Sequence, residues 1–509
     1  MTIDFSRVST AALIAGCFAG TSAYADVTAQ DVWQDWQSYI AGSGYEITAT
    51  ENMSGNTLTV SDISMSLAME ADNSAVSVTM GDLEFVENGD GTVSVVMPET
   101  VPIAFSGTGE DGTPFSGKLD YVQDGFEMVA SGEPDNMDYA YTADRLAVIM
   151  TEITANGQTL PADAAKMEVA LADITGSTQM EVGDLRAYEQ TMSANTLTYD
   201  FAFTGPETSE QFNMTGGSQD LSFDGTASMP LEMDPDNMDA SLREGFAADG
   251  TFSYAGGSTQ LNFAAEGDEF AMQTGSESGS ARFGLSQSGL IYDITQAVVS
   301  ADITTSDLPF PVALNMAEAA INLLIPVSQD EAEQDFALGM KMGDFTMSDA
   351  IWNLFDPGTQ LPRDPATIEL DLTGKATMLM SLMDPASAEA MEQPGAEPAQ
   401  LNALTLRNLL VSAVGARLTG TGDFTFDNSD TETFDGLPKP TGAVDLQLVG
   451  GNGLLDKLVA MGLLPEDQAM GARMMMGLFA VPGDGEDTLN SKIEINEEGH
   501  ILANGQRIQ

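Results

Sequence analysis

The sequence predicts a mainly β protein of extended, curved antiparallel sheets with β-bulges, groove-like or sandwich-like. A short amino-terminal helix and a helical hairpin near the carboxy terminus complete it. Three observations carry this expectation. Apolar residues recur at every second position, as in Leu197, Tyr199, Phe201 and Phe203 or Ile368, Leu370 and Leu372, which is the pattern of strands apolar on one face. Turn formers such as Asn88-Gly89-Asp90-Gly91 and Asp249-Gly250 separate these runs. Where alternation slips by one residue, a small residue and an aspartate mark the slip.

Residues 1–25 read as an export signal. Arg7 supplies a positive start, Val8–Gly20 is apolar but too short to span a bilayer, and Ala23-Tyr24-Ala25 is a cleavage site before Asp26. Cleavage between Ala25 and Asp26 would deliver the chain to the periplasm or the medium. The rival reading takes Ile14-Ala15-Gly16-Cys17 as a lipobox, with Cys17 acylated as an anchor. No other stretch approaches a membrane-spanning length.

Residues 26–45 predict a helix. Thr28 is placed to cap it, Ala29, Val32, Trp33, Trp36 and Ile40 fall at helical spacing, and Gly42 and Gly44 end it. The tryptophan pair reads as a packing face that anchors the helix on the following sheet.

Residues 46–300 predict a β-rich region. The slip motif appears there as VSDI, MGDL, LADI and VGDL, and later as MGDF, with Asp62, Asp82, Asp173, Asp184 and Asp344 as the predicted bulge residues. An inserted residue turns every later side chain to the wrong face unless the backbone bulges. A small residue tolerates the dihedrals required, and the Asp side chain can bond the freed backbone groups. Looser copies carry Asp302 and Asp423. Met80 and Val182, which open two of the motifs, are 102 positions apart, and the two PDNMD segments, Pro134–Asp138 and Pro235–Asp239, are 101 apart. The shared offset suggests a repeat of about 100 residues. Met137 and Met238 fall at the fifth position of a would-be calcium loop, where an oxygen ligand belongs, so PDNMD reads as a turn.

Residues 301–450 predict further strands with short helices, one capped by Ser348 over DAIWNLF and one opened by Asp384-Pro385. Residues 451–509 predict a helical hairpin with Pro465 at the start of its second helix, then a terminal β-hairpin containing His500.

Composition excludes much. Lysine and arginine number 17 against 78 aspartates and glutamates, a formal charge of −61, so nucleic acid and anionic lipid headgroups are repelled. The carboxylates are scattered along the strands, as on a solvated surface adapted to salt. With one histidine and one cysteine, the latter inside the signal, multi-histidine and thiolate metal sites and a cysteine nucleophile are ruled out by counting. No cofactor site and no catalytic residue is expected.

The segments Met342–Ala376 and Gly451–Leu489, with DVWQDWQSY near the amino terminus, resemble the family called domain of unknown function 2125, exported proteins of Gram-negative bacteria. The resemblance implies export and supplies no site residues. The closing ILANGQRI is also similar to the ends of periplasmic β-groove proteins of the AsmA kind, which handle lipid.

Strands apolar on one side must bury that side, and a curved sheet can offer it as a trough for acyl chains. Thirty methionines suit surfaces that accept varied apolar partners. The expected function is a periplasmic, non-enzymatic binding or envelope-maintenance protein with an apolar groove, lipid being the candidate ligand. The alternatives are a carboxylate-based hydrolase and an acidic structural or calcium-binding protein.

Overall fold

The computed structural model describes residues 27–69, 74–108, 113–155, 157–161, 164–205, 210–234, 237–391, 393 and 395–509. The expected signal, including Cys17, Ala25 and Asp26, lies outside them. The chain is mainly β, 64% strand and 12% helix, and every pairing described below is antiparallel. It divides into two compact units at Met272/Gln273.

Unit 1 begins with α1 (Ala29–Gly42), followed by β1 (Glu46–Ser54), β2 (Thr57–Met69), β3 (Ser74–Met80), β4 (Leu83–Glu87), β5 (Val93–Val96) and β6 (Thr100–Thr108). Next come β7 (Pro114–Asp124), β8 (Glu127–Glu133), β9 (Asn136–Ala155), β10 (Gln158–Thr159), β11 (Ala165–Val182), β12 (Leu185–Thr204) and β13 (Gln211–Pro230). The unit closes with α2 (Met238–Arg243) and β14 (Ala247–Ala265), and the division falls within β15 (Asp268–Ser286). Its strands order themselves by pairing. β1 pairs with β2, whose other edge carries β3 and β4 end to end. Those pair with β6 and β5, then with β7 and β8, and both files rejoin on the long β9. From β9 the sheet continues through β11, β12, β13 and β14.

Unit 2 contains β16 (Gly289–Thr305), β17 (Val312–Ile325), β18 (Gln334–Met347), α3 (Asp349–Phe355), β19 (Ala366–Met378), α4 (Pro385–Met391) and β20 (Ala399–Ala413). It continues with β21 (Ala416–Asp427), β22 (Lys439–Val449), α5 (Gly451–Ala460), α6 (Glu466–Phe479), β23 (Val481–Pro482), β24 (Thr488–Ile495), β25 (Ile501–Ala503) and β26 (Gln506–Arg507). From β16 to β22 each strand pairs with the next, and β24 then adds to β22. The short helices and the terminal hairpin fall where the sequence places them. His500 sits in the turn before β25, its backbone N–H donating to Asn496 Oδ1 at 2.9 Å.

The slips of alternation lie at matched positions on neighbouring strands. On β9 the buried side chains include Tyr139, Tyr141 and Ala143, then Leu146; on β2 they include Leu58 and Val60, then Ile63. Parity changes, yet all seven join one core cluster. Asp173 in β11 stands opposite Asp144 of β9 and Asn195 of β12, and Asn195 stands opposite Asp220 of β13. Asp173 and Asp220 have φ of 52° and 49°, and Gly256 in β14 has φ of 86°. Asn195 donates to Asp173 Oδ2 at 3.0 Å. In unit 2, Val298 of β16 (φ 50°) and Asp344 of β18 (φ 51°) mark the corresponding change. A left-handed residue in a strand resets the pleat, so the apolar side stays apolar through the slip.

The five predicted bulge residues divide four ways. Asp62 (φ 52°) and Asp344 lie at register shifts where two residues oppose one. Asp173 is left-handed, but its partners carry a matching extra residue, so it is a shared kink. Asp82 lies in the break between β3 and β4, opposite Ser61 and Asp62. Asp184 is a correction: it lies in the turn between β11 and β12, where a small residue and an Asp serve a hairpin equally well. Asp302 and Asp423 occupy regular ladder positions. The two PDNMD segments also differ. Pro134 and Asp135 turn β8 into β9, whereas Asn237 caps α2 by accepting from Ala240 N at 3.1 Å.

A left-handed β-carbon costs about 1–2 kcal/mol, less for Asp and Asn. Asp173→Ala and Asp220→Ala should each lower the urea-unfolding free energy by about 1 kcal/mol, with Asp173→Gly nearly neutral. Alanine variants as stable as the parent would show that the left-handed backbone is no constraint.

Candidate functional site

In unit 1 the apolar face is occupied by the protein's own helix. α1 starts with a capping box between Thr28 and Asp31, and Ala29, Val32, Trp33 and Ile40 are buried. On one side Trp33 Nε1 donates to Glu51 Oε1 of β1 at 2.8 Å, and the Trp33 and Trp36 rings lie 5.9 and 5.4 Å from Phe85 of β4. On the other side Tyr139 of β9 donates to Asp35 Oδ2 at 2.6 Å, Arg186 of β12 pairs with Asp35, and Tyr39 meets Tyr188 of β12 edge-on at 5.7 Å. Seven strand spacings separate β1 from β12, about 34 Å if the sheet were flat. A helix about 10–12 Å across touches both. The sheet therefore curls around α1, which fills the trough.

The polar contact inside that trough is a buried one. Asp35 and Arg186 are both below a tenth exposed. Burial, the largest single influence, would lower the Arg186 pKa, but the Asp35 carboxylate and the Tyr188 hydroxyl together outweigh it and raise the value. Burial, reinforced by Asp35, holds the Tyr139 hydroxyl well above the ordinary tyrosine value; burial also raises Tyr188, Tyr121 and Tyr39.

In unit 2 the same kind of face is open. Register aligns Ile294, Ile321, Met340, Leu370 and Leu409 across β16–β20. Beside that row run Leu323, Leu338, Leu372 and Leu406, and the apolar side continues through Leu418, Leu448 and Leu489. At the middle of this face Ile321, Leu338, Met340 and Ile368 are exposed by 41%, 38%, 40% and 39%. The small helices protect other residues. Trp352 of α3 is buried, with Arg363 stacked over its ring at 5.4 Å, and Asp356 closes the next loop by accepting from Gln360 N and Leu361 N at 2.8 and 3.0 Å. The opposite side of the sheet is polar and cross-braced by pairs such as Lys341–Glu318 at 2.6 Å and Lys375–Asp335 at 2.6 Å.

The face is apolar along a ribbon several strands wide. The buried carboxylates Asp35, Asp239 and Asp356 each hold local structure, Asp239 pairing with Arg243 at 2.6 Å. Among the described residues no three His, Cys, Asp or Glu gather to hold a metal, and no helix is long and apolar enough to cross a membrane. The sequence singled out the bulge residues but not the face itself. The signal was present in the facing Ile321, Met340 and Leu370, legible only once the strand order is known. No protein-family model, curated protein or solved structure matches the chain.

Asp35→Asn leaves Arg186 buried without its counter-charge, a loss of about 3–5 kcal/mol. Urea unfolding followed by fluorescence of Trp33 and Trp36 should show it, with Asp35→Leu/Arg186→Met recovering much of the loss; an unchanged midpoint for Asp35→Asn would contradict the trough filling. Alkali should act on the same groups. Unfolded tyrosines ionise near pH 10 while Tyr139 and Tyr188 stay protonated when folded, so stability present below about pH 10 falls as pH rises further. Melting temperatures at pH 9 and pH 11 check this, and equal values would count against it.

Proposed function

We propose that this protein is an exported, non-enzymatic binding protein that takes an apolar ligand, such as the acyl chains of a lipid, on the open sheet face of unit 2. The observation that carries the reading is the set Ile321, Leu338, Met340 and Ile368, apolar, adjacent in register and about two-fifths exposed. Contiguous exposed apolar surface of this kind marks ligand grooves and interaction sites. Covering each 100 Å² of it stabilises by about 2.5 kcal/mol, so even part of one acyl chain gives useful affinity. Export, and kinship with the domain of unknown function 2125 family, belong to the same proposal and rest on the sequence segments described above.

The test is lipid extraction from protein purified out of its own envelope, joined to titration with a fluorescent fatty acid. The parent should carry lipid and bind the probe at micromolar concentration. Ile321→Asp/Met340→Asp, placing two charges on the face, should weaken binding at least ten-fold while leaving the circular dichroism unchanged. A lipid-free parent that ignores the probe, or a folded double variant that binds normally, would overturn the reading.

A further inference from the structure

A second apolar surface stands apart from the sheet face. α6 packs through Ala469, which is fully buried, and is tied to α5 by Arg473 and Asp456 at 2.5 Å. Its other side carries Met470, Met474, Met475 and Leu478, which are 64%, 72%, 52% and 58% exposed. Met470, Met474 and Leu478 are four residues apart, so they form one stripe about 12 Å long. These are among the most exposed large apolar residues in the chain, on a helix whose own packing does not need them. Unbranched thioethers on a helix surface are suited to receiving varied apolar side chains.

The charges around the stripe select the occupant. Glu466 and Asp467 form the first turn of α6, and Asp467 lies three residues before Met470 on the same side. Asp484 and Glu486 follow the helix, both exposed. Arg473, the one cation of α6, is already matched by Asp456. The stripe is thus apolar along its length and flanked by carboxylates, on a chain of formal charge −61. An anionic membrane is repelled and a second copy brings the same charge. A helix with an apolar stripe and lysine or arginine beside it complements both features. We propose that the exposed side of α6 is a docking surface for a basic amphipathic helical segment of another protein.

The probe is a labelled 16-residue peptide of lysine and leucine at helical spacing, against a control with the leucines replaced by serine. Fluorescence anisotropy with the full chain in 0.15 M salt should show at least ten-fold tighter binding of the leucine peptide. Met470→Gln/Met474→Gln/Leu478→Gln should remove that preference, and Glu466→Gln/Asp467→Asn should weaken binding about three-fold and flatten its salt dependence. A readout needing no variant is peroxide oxidation of the parent. The leucine peptide should protect Met470, Met474 and Met475 while Met53, half exposed on β1, stays reactive. Equal binding of both peptides, an unchanged triple glutamine variant or absence of protection would overturn the proposal. So would protection produced only by phosphatidylcholine vesicles or by self-association of the chain.

Discussion

The structure depends on keeping every apolar side chain on one face of a sheet whose strands are too long for unbroken alternation. A strand of twenty residues, such as β9 or β12, twists steadily and would carry a flat apolar stripe out of register with its neighbours. The chain meets this by resetting the pleat near mid-strand. At Asp62 and Asp344 it resets one strand alone and leaves a bulge, whereas from β9 to β13 it does so at matched positions, which keeps those ladders in register. Asp173, Asn195 and Asp220 face one another across three strands for that reason. Aspartate recurs there because its short acceptor side chain makes the left-handed backbone tolerable.

From the same one-sided sheet two outcomes follow. Unit 1 curls until opposite strands grip one helix, and Trp33, Phe85 and Tyr141 are almost wholly removed from water. Unit 2 repeats the apolar ladder from strand to strand, and among its described residues no helix is laid along the middle. Its buried apolar residues include Trp352, Leu361 and Met378. The polar sides of both units pair lysines with carboxylates, as in Lys118–Glu152 and Lys341–Glu318. Most carboxylates remain to water and salt.

Much of this was legible in the sequence, for local reasons. α1 announced itself by Thr28, the spacing of its apolar residues and the closing glycines, all within one short segment. Period-two runs disclosed the strands, and the small-residue–Asp pairs disclosed Asp62, Asp173 and Asp344 as special. The same pair at Asp184 served a hairpin, because turns and left-handed strand residues ask for the same chemistry. Val298 escaped notice, since a β-branched residue is disfavoured at positive φ and nothing in the sequence flags it; Asp220, in SQDL, lacked the small partner next to it. The burial of α1 was not legible. Asp35 meets Tyr139 and Arg186 across 104 and 151 residues, and only the strand order brings them together.

That order has a consequence for how the molecule comes to be. α1 precedes every strand that encloses it, so during synthesis a Trp-bearing helix waits while more than a hundred further residues emerge. Closure by such distant partners is slow, and until then the helix presents sticky surface to its surroundings. A newly made chain is therefore most vulnerable at its beginning, and it becomes safe only when β12 arrives to lock the helix in.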